Sequence, residues 1–211
     1  MPLFLKIILS VIISYLLGSI PTAYWLGRLK GIDVRQHGSG NVGATNAMRV
    51  LGKGPGTLVL FIDILKGVLA TALVTEIFGL DQVGYLVLMG LVVVAGHNWT
   101  IFLNFKGGKG IATSLGALIG LAIQLASLRP ALFITVAVWS CVFLLSGYVS
   151  LASMIAAAAL PLVLVFTNQP LALISMGIII CIFVAVRHKP NIKRLLSGKE
   201  NRVQFPFLKK R

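Results

Sequence analysis

The chain has 211 residues, 57% apolar and 11% charged, with 19 Lys and Arg against 5 Asp and Glu and a net charge of +14. A water-soluble domain carries about 25% charged residues, so these figures exclude a soluble globule, and with it disordered, collagen-like and coiled-coil chains. They describe an all-α, polytopic membrane protein whose polar residues sit in a few places.

A bilayer-crossing helix needs about 20 apolar residues. Windows of that kind fall at Leu3–Leu26, Thr57–Phe78, Gln82–Phe102, Ile111–Ala126, Pro130–Ser146, Tyr148–Phe166 and Pro170–Val186. The first reads as a span rather than a secretory signal, because no small-residue cleavage site follows and Pro21, Tyr24 and Trp25 do. Pro130 to Val186 is a run of 57 residues without a charge, long enough for three spans cut at Gly147-Tyr148 and Asn168-Gln169-Pro170. About seven transmembrane helices are expected, or five or six if Ile111–Ala126 is re-entrant. The whole of 1–211 reads as one integral membrane domain, with 187–211 as a basic tail. Cys141 and Cys181 lie inside apolar runs and read as packing or lipid-facing residues; neither suggests a nucleophile or a metal site.

The basic residues set the orientation. The first connection carries Arg28, Lys30, Arg35, Arg49 and Lys53, the third Lys106 and Lys109, and the tail nine more, which places 16 of the 19 on one side. The seven-span reading therefore puts the N-terminus outside and the C-terminus in the cytoplasm. Positive-inside bias accounts for most of the excess charge, and no aromatic-interleaved basic stretch accompanies it, so no nucleic-acid partner is expected.

Four polar clusters fall on or near the basic side. In the first, Gly38, Gly40 and Gly43 allow a loop to cradle an anion, Ser39, Asn41, Thr45 and Asn46 add neutral donors, and Arg49 adds a planar fork. Thr45-Asn46 could open a short helix; an ordinary helix-capping turn is the alternative. In the second, Asp63 and Lys66 share a helix face inside a span, where charges must face a polar interior and pair. They either serve substrate or lock helices together. The third is His97-Asn98-Trp99 followed by Lys106-Gly107-Gly108-Lys109-Gly110, an anion nest at the start of an apolar helix or a plain topology signal. It is not a Walker A loop, since Gly110 follows Lys109 and Leu103 stands at the first glycine position. The fourth runs from Arg187 to Glu200. It places His188 and Asn191 one turn apart and puts Ile192, Leu195 and Leu196 on one face of a short interfacial helix. Anionic lipid headgroups would hold its basic residues.

There is no GxSxG elbow and no HxxxxD acyltransferase pattern: five residues past His37, His97 and His188 stand Val42, Phe102 and Lys193. These residues point to phosphorylated, membrane-associated substrates, with no cofactor or metal, and leave the reaction open. A lipid or phosphate transporter is the competing class, although the two halves show no inverted-repeat pattern.

The strings GSIPTAYWLGRLKGIDVRQHGSGNVGATNAMR, DILKG, GHNWTIFLNFKGGKGIATSLG and RHKPNIKRLLSGKE, in this order, resemble the bacterial acyl-phosphate:glycerol-3-phosphate acyltransferase family (the PlsY type) over essentially the full chain. The resemblance implies an enzyme that transfers a fatty acyl group from acyl-phosphate to the 1-hydroxyl of glycerol 3-phosphate. Its products would be lysophosphatidic acid and phosphate, in the first step of phospholipid synthesis. It implies a multi-pass protein of the bacterial plasma membrane with its site facing the cytoplasm, supplied by an acyl-phosphate-forming enzyme. Ser39 and Arg49 match its first catalytic motif and Lys106–Gly110 its phosphate loop. His188, Asn191 and Glu200 match the third motif, with Glu200 mainly structural. This chain reads Gly198-Lys199-Glu200 where relatives often have Gly-Thr-Glu.

Overall fold

The computed structural model describes residues 1–203, and every regular element among them is helical. Lys209, Lys210 and Arg211 of the expected basic tail lie outside the described residues. The chain forms two compact units, Met1–Leu125 and Ala126–Arg211.

The first unit contains α1 (Leu3–Ser19), α2 (Thr22–Leu29), α3 (Ala44–Val50), α4 (Lys53–Val68), α5 (Thr75–Phe78), α6 (Val83–Asn98) and α7 (Ile111–Gln124). The window expected to form one first span is broken: α1 and α2 meet at 43°. Pro21 is the cause, since it lacks an N–H and forces Ile20 out of the helical region, to ψ 111°.

Close backbone contact holds this unit together. Ser10, Ser14 and Gly18 recur every four residues on the buried face of α1. Gly18 lies against the Val93 carbonyl, and Gly96 of α6 lies against the Tyr15 carbonyl. Likewise Gly67 of α4 meets the Thr113 carbonyl, while Gly116 and Gly120 of α7 meet the Ile64 carbonyl and the Thr71 hydroxyl. In lipid no water is released between helices, so small residues that let backbones touch supply the packing. Gly116→Ala is expected to force α4 and α7 apart and to cost about 3 kcal/mol. Gly84→Ala, which meets nothing within 4 Å, gains helix propensity of up to about 1 kcal/mol instead. Thermal unfolding in detergent separates the two.

Between α4 and α5 the helix widens into a π segment, Leu69–Val74. A π turn diverts carbonyls from the regular ladder. Here Gln124 Nε2 donates to the Thr71 carbonyl (2.7 Å) and to Thr75 Oγ1 (2.8 Å).

The second unit contains α8 (Arg129–Ser146), α9 (Val149–Phe166), α10 (Leu171–Arg187) and α11 (Lys189–Leu196). Gly147, left-handed at φ 75°, ends α8, and α9 packs against both α8 and α10. Trp139 Nε1–H donates to Ser153 Oγ (3.2 Å), tying α8 to α9. Between α10 and α11 the chain bends by 61° at His188, with Pro190 in the first turn of α11.

Among the described residues, four helical stretches are long and apolar enough to cross a membrane, or six if each bent pair is one span. The fourth expected window, Ile111–Ala126, forms a 14-residue helix, α7. At about 21 Å it falls short of a hydrocarbon core of about 30 Å.

Candidate anion-binding site

The first glycine loop leaves α2 through a 3-10 turn, Val34–Gln36, capped by Asp33, whose carboxylate accepts the Arg35 N–H (3.0 Å). The Arg35 guanidinium pairs with the same carboxylate at 2.7 Å and holds its pKa down to about 2. Arg35 also lies 4.6 Å over the Tyr24 ring. Gly38 and Gly40 are left-handed, at φ 61° and 69°. Asn46, 1% exposed, accepts the Ser39 N–H (2.8 Å) and donates to the Val34 and His37 carbonyls (3.0 and 3.1 Å). Asn41 Oδ1 accepts the Gly43 N–H (2.9 Å), and the His37 carbonyl accepts the Gly40 N–H (3.0 Å). The loop thus spends three of its N–H groups on its own shape, where the sequence suggested an anion cradle. Helix α3 opens at Ala44, one residue before the expected Thr45, and presents Arg49 on its exposed side.

The second loop begins where α6 ends. Asn104 and Phe105 are both left-handed, at φ 50° and 60°, a conformation that costs a bulky residue about 1–3 kcal/mol. It turns the chain back so that the Gly107 N–H reaches the Asn98 carbonyl (3.1 Å) and the Gly108 N–H the His97 carbonyl (3.0 Å). A side chain at Gly107 would meet the His97 carbonyl, and one at Gly108 the His97 ring. Only glycine fits both places. The loop delivers Lys106, exposed, and Lys109, half-buried, to the N-terminus of α7, which Gly110 opens at φ 78°. That end of a helix favours anions.

One hydrophobic cluster carries both loops: Val34 and Val42 from the first, Ala47 and Leu51 around α3, Val59 of α4, and Leu103 just before Lys106.

Beneath the loops lies a buried charge group. Lys66 Nζ is 2.9 Å from Asp63 Oδ1 and donates to the Ile20 carbonyl (3.2 Å), while His97 Nδ1 is 3.6 Å from the same Oδ1. Asn98 is wholly buried, with its amide N and O unpartnered, as are the Thr113 and Ser114 hydroxyls. Lys66, Asn46 and Asn98, expected to touch substrate, therefore have their side chains inside the protein. A recess of about 420 Å³ lined by Thr75, Glu76, Gly79, Leu80, Asp81 and Gln124 begins about 18 Å along the helix from Asp63.

In the second unit, His188 is 2% exposed and its Nδ1–H donates to the Val184 carbonyl (2.9 Å). That bond leaves Nε2 as the acceptor of the neutral ring. Glu200 gathers three donors: Asn191 Nδ2 (2.8 Å), Ser150 Oγ (2.9 Å) and Arg194 Nε (2.7 Å). Burial pushes its pKa up, but these bonds pull it down further, and the net value lies below the ordinary 4.5. A depressed carboxylate contributes stability above its unfolded pKa and loses it as pH falls through its folded pKa. Amide protection in α11, corrected for the intrinsic pH dependence of exchange, should fall below about pH 4.5, and Glu200→Gln should remove that loss.

The link from His97 to Asp63, the π segment and the role of Gln124 were not anticipated. Two ionisable residues in separate apolar spans were a signal for the first. Nothing in the sequence announced the π turn.

The fold defines an integral membrane protein that sets glycine-rich loops beside its helix ends. Residues 8–198 match the model of the glycerol-3-phosphate acyltransferase family. The chain is 44% identical to glycerol-3-phosphate acyltransferase 2 of Moorella thermoacetica, over 93% of this chain and 97% of the relative. It is 43% identical to the glycerol-3-phosphate acyltransferase of Fusobacterium nucleatum, over 92% and 97%. Crystal structures of PlsY, an integral membrane glycerol 3-phosphate acyltransferase, superpose closely. The glycerol 3-phosphate form gives a TM-score of 0.85 at 41% identity, covering 94% of this chain and 96% of that one. The lysophosphatidic acid form gives 0.82 at 40%, covering 94% and 95%. The chain belongs to the glycerol-3-phosphate acyltransferase family; it is a helical membrane acyltransferase of phospholipid synthesis.

Proposed function

We propose that the enzyme transfers a fatty acyl group from acyl-phosphate to the 1-hydroxyl of glycerol 3-phosphate, releasing lysophosphatidic acid and inorganic phosphate. The observation that carries this reading is the Lys106–Gly110 loop, whose glycines pack against α6 so tightly that two lysines are held at the start of α7. A relative crystallised in a glycerol 3-phosphate form, alike over 94% of this chain, supports glycerol 3-phosphate as acceptor.

An acyl-phosphate is an activated anhydride with a good leaving group, so positioning and charge neutralisation matter more than a strong base. The glycerol hydroxyl oxygen attacks the acyl carbonyl carbon. The bond from that carbon to the phosphate oxygen breaks, phosphate leaves with the electron pair, and the hydroxyl proton passes to a substrate phosphate. Arg49, Lys106 and Lys109 offset the repulsion between the two phosphates. Ser39 orients a substrate oxygen from between Gly38 and Gly40; His188 and Asn191 are assigned to the reaction on their match to the family's third motif. Asn41, Asn46 and Asn98 act through the loops whose N–H groups they accept, while Thr45 and Lys66 are assigned to the substrate phosphate region from their places in the sequence. The alternative route makes Ser39 an acylated nucleophile with His188 as its base. Labelled acyl-phosphate should leave no acyl group on the protein by the direct route and a Ser39 ester by the other.

We place the enzyme in the bacterial plasma membrane, with seven membrane segments, the N-terminus outside and the site facing the cytoplasm; the one-sided basic residues support this. The family match crosses both compact units, which supports a single functional domain over 1–211. An acyl-phosphate-forming enzyme must act upstream. The test is purified protein in detergent, where no gradient exists. Acyl transfer there supports the enzyme, and phosphate uptake confined to sealed vesicles would support the transporter.

A further inference from the structure

We infer that His97 is a positioning residue for the glycine/lysine loop, fixing it through the buried Asp63–Lys66 pair to the break between α1 and α2. The inference rests on the proposed reading that this loop binds the phosphate of glycerol 3-phosphate.

Four elements meet in one line of contacts. The Ile20 carbonyl at the α1–α2 break accepts from Lys66 Nζ at 3.2 Å. Lys66 pairs with Asp63 at 2.9 Å on α4, and Asp63 faces His97 Nδ1 at 3.6 Å on α6. His97 then engages the loop twice. Its carbonyl accepts the Gly108 N–H at 3.0 Å, and its ring, Nε2 foremost, fills the space where a Gly108 side chain would stand. The side chains of Asp63, Lys66 and His97 are 3%, 3% and 7% exposed.

An ion pair inside a membrane segment carries a desolvation penalty of several kcal/mol per ion, and two apolar residues would join helices without it. What the charged pair adds is direction. With Nδ1 facing Asp63 and the Nε2 edge against Gly108, the imidazole cannot turn without losing one contact or the other. The backbone of Gly107 and Gly108 cannot move without displacing the ring. Both ring nitrogens of His97 face protein atoms, Nδ1 the Asp63 carboxylate and Nε2 the Gly108 backbone. His97 holds the loop that holds the phosphate.

The test is a double-mutant cycle read as KM for glycerol 3-phosphate, KM for acyl-phosphate and kcat. His97→Ala is expected to raise the glycerol 3-phosphate KM about tenfold, with kcat changed less than about threefold and the donor KM unchanged. Gly108→Ala should do the same, because its new methyl group displaces the ring; Gly108 has no left-handed backbone to resist the change. In the double variant the methyl group enters the space the ring has vacated. The combined effect should then stay near tenfold, where independent effects would multiply to about a hundredfold. His97→Asn keeps a donor towards Asp63 and should recover part of the loss. Multiplying effects, three unchanged constants, or a fall in kcat at constant KM would each overturn the inference. If His97→Ala does not fold, the cycle of His97→Asn with Gly108→Ala is read by the same criterion. If the wild-type enzyme shows no transfer from acyl-phosphate, it is the donor reading that fails. The coupling is then read from glycerol 3-phosphate Kd by equilibrium binding.

Discussion

Asp63→Leu is expected to destabilise the protein by about 3–5 kcal/mol, enough to abolish recovery of folded enzyme from detergent. The substitution leaves Lys66, 3% exposed, facing the Ile20 carbonyl with no carboxylate beside it in an apolar membrane segment. Breaking a buried pair costs about that much because the surviving charge is uncompensated. Replacing both partners is a different matter. Asp63→Leu with Lys66→Met removes both desolvation penalties and should recover most of the stability. Activity should not recover with it, since His97 loses the carboxylate it faces and the glycine loop loses its anchor. Thermal unfolding and the glycerol 3-phosphate KM, measured on the same samples, separate the two effects.

Arg49→Ala is expected to lower kcat/KM by about 100- to 1000-fold with little change in unfolding temperature. Arg49 lies on the exposed side of α3, a helix carried on the cluster of Val34, Ala47 and Leu51, so its removal disturbs no core. Charge-assisted hydrogen bonds to a phosphate contribute about 1.5–3 kcal/mol each, and a guanidinium supplies two in parallel. Losing about 3–4 kcal/mol of binding corresponds to the stated factor. Arg49→Lys keeps the charge without the fork and should fall in between, at about tenfold.

The helices were legible in the sequence because apolar runs in a membrane protein are long and sharply bounded. The windows Pro130–Ser146, Tyr148–Phe166 and Pro170–Val186 lie within one residue, at either end, of α8, α9 and α10. Failure came where one residue overrides a run. Pro21 broke the first window into two helices, and the widening at Leu69–Val74 has no compositional mark at all. The site was legible as a set of loops but not as a geometry. Glycines suggested anion cradles in both, beside asparagines in the first and lysines in the second. In the first loop the amide of Asn46 takes the Ser39 N–H for the loop itself, and in the second the glycines are required by packing on His97 and Asn98. Which glycine serves a ligand and which serves a neighbouring backbone is decided by contacts between residues far apart in sequence. A single strand of text does not order them.

Acyl-phosphate as donor is the central claim, and the release of inorganic phosphate by the purified enzyme tests it most directly. With palmitoyl-phosphate and glycerol 3-phosphate together, phosphate should appear in a one-to-one ratio with lysophosphatidic acid; with glycerol 3-phosphate left out, it should remain near the rate of spontaneous hydrolysis. Lysophosphatidic acid formed from acyl thioesters alone, with acyl-phosphate left untouched, would contradict the account.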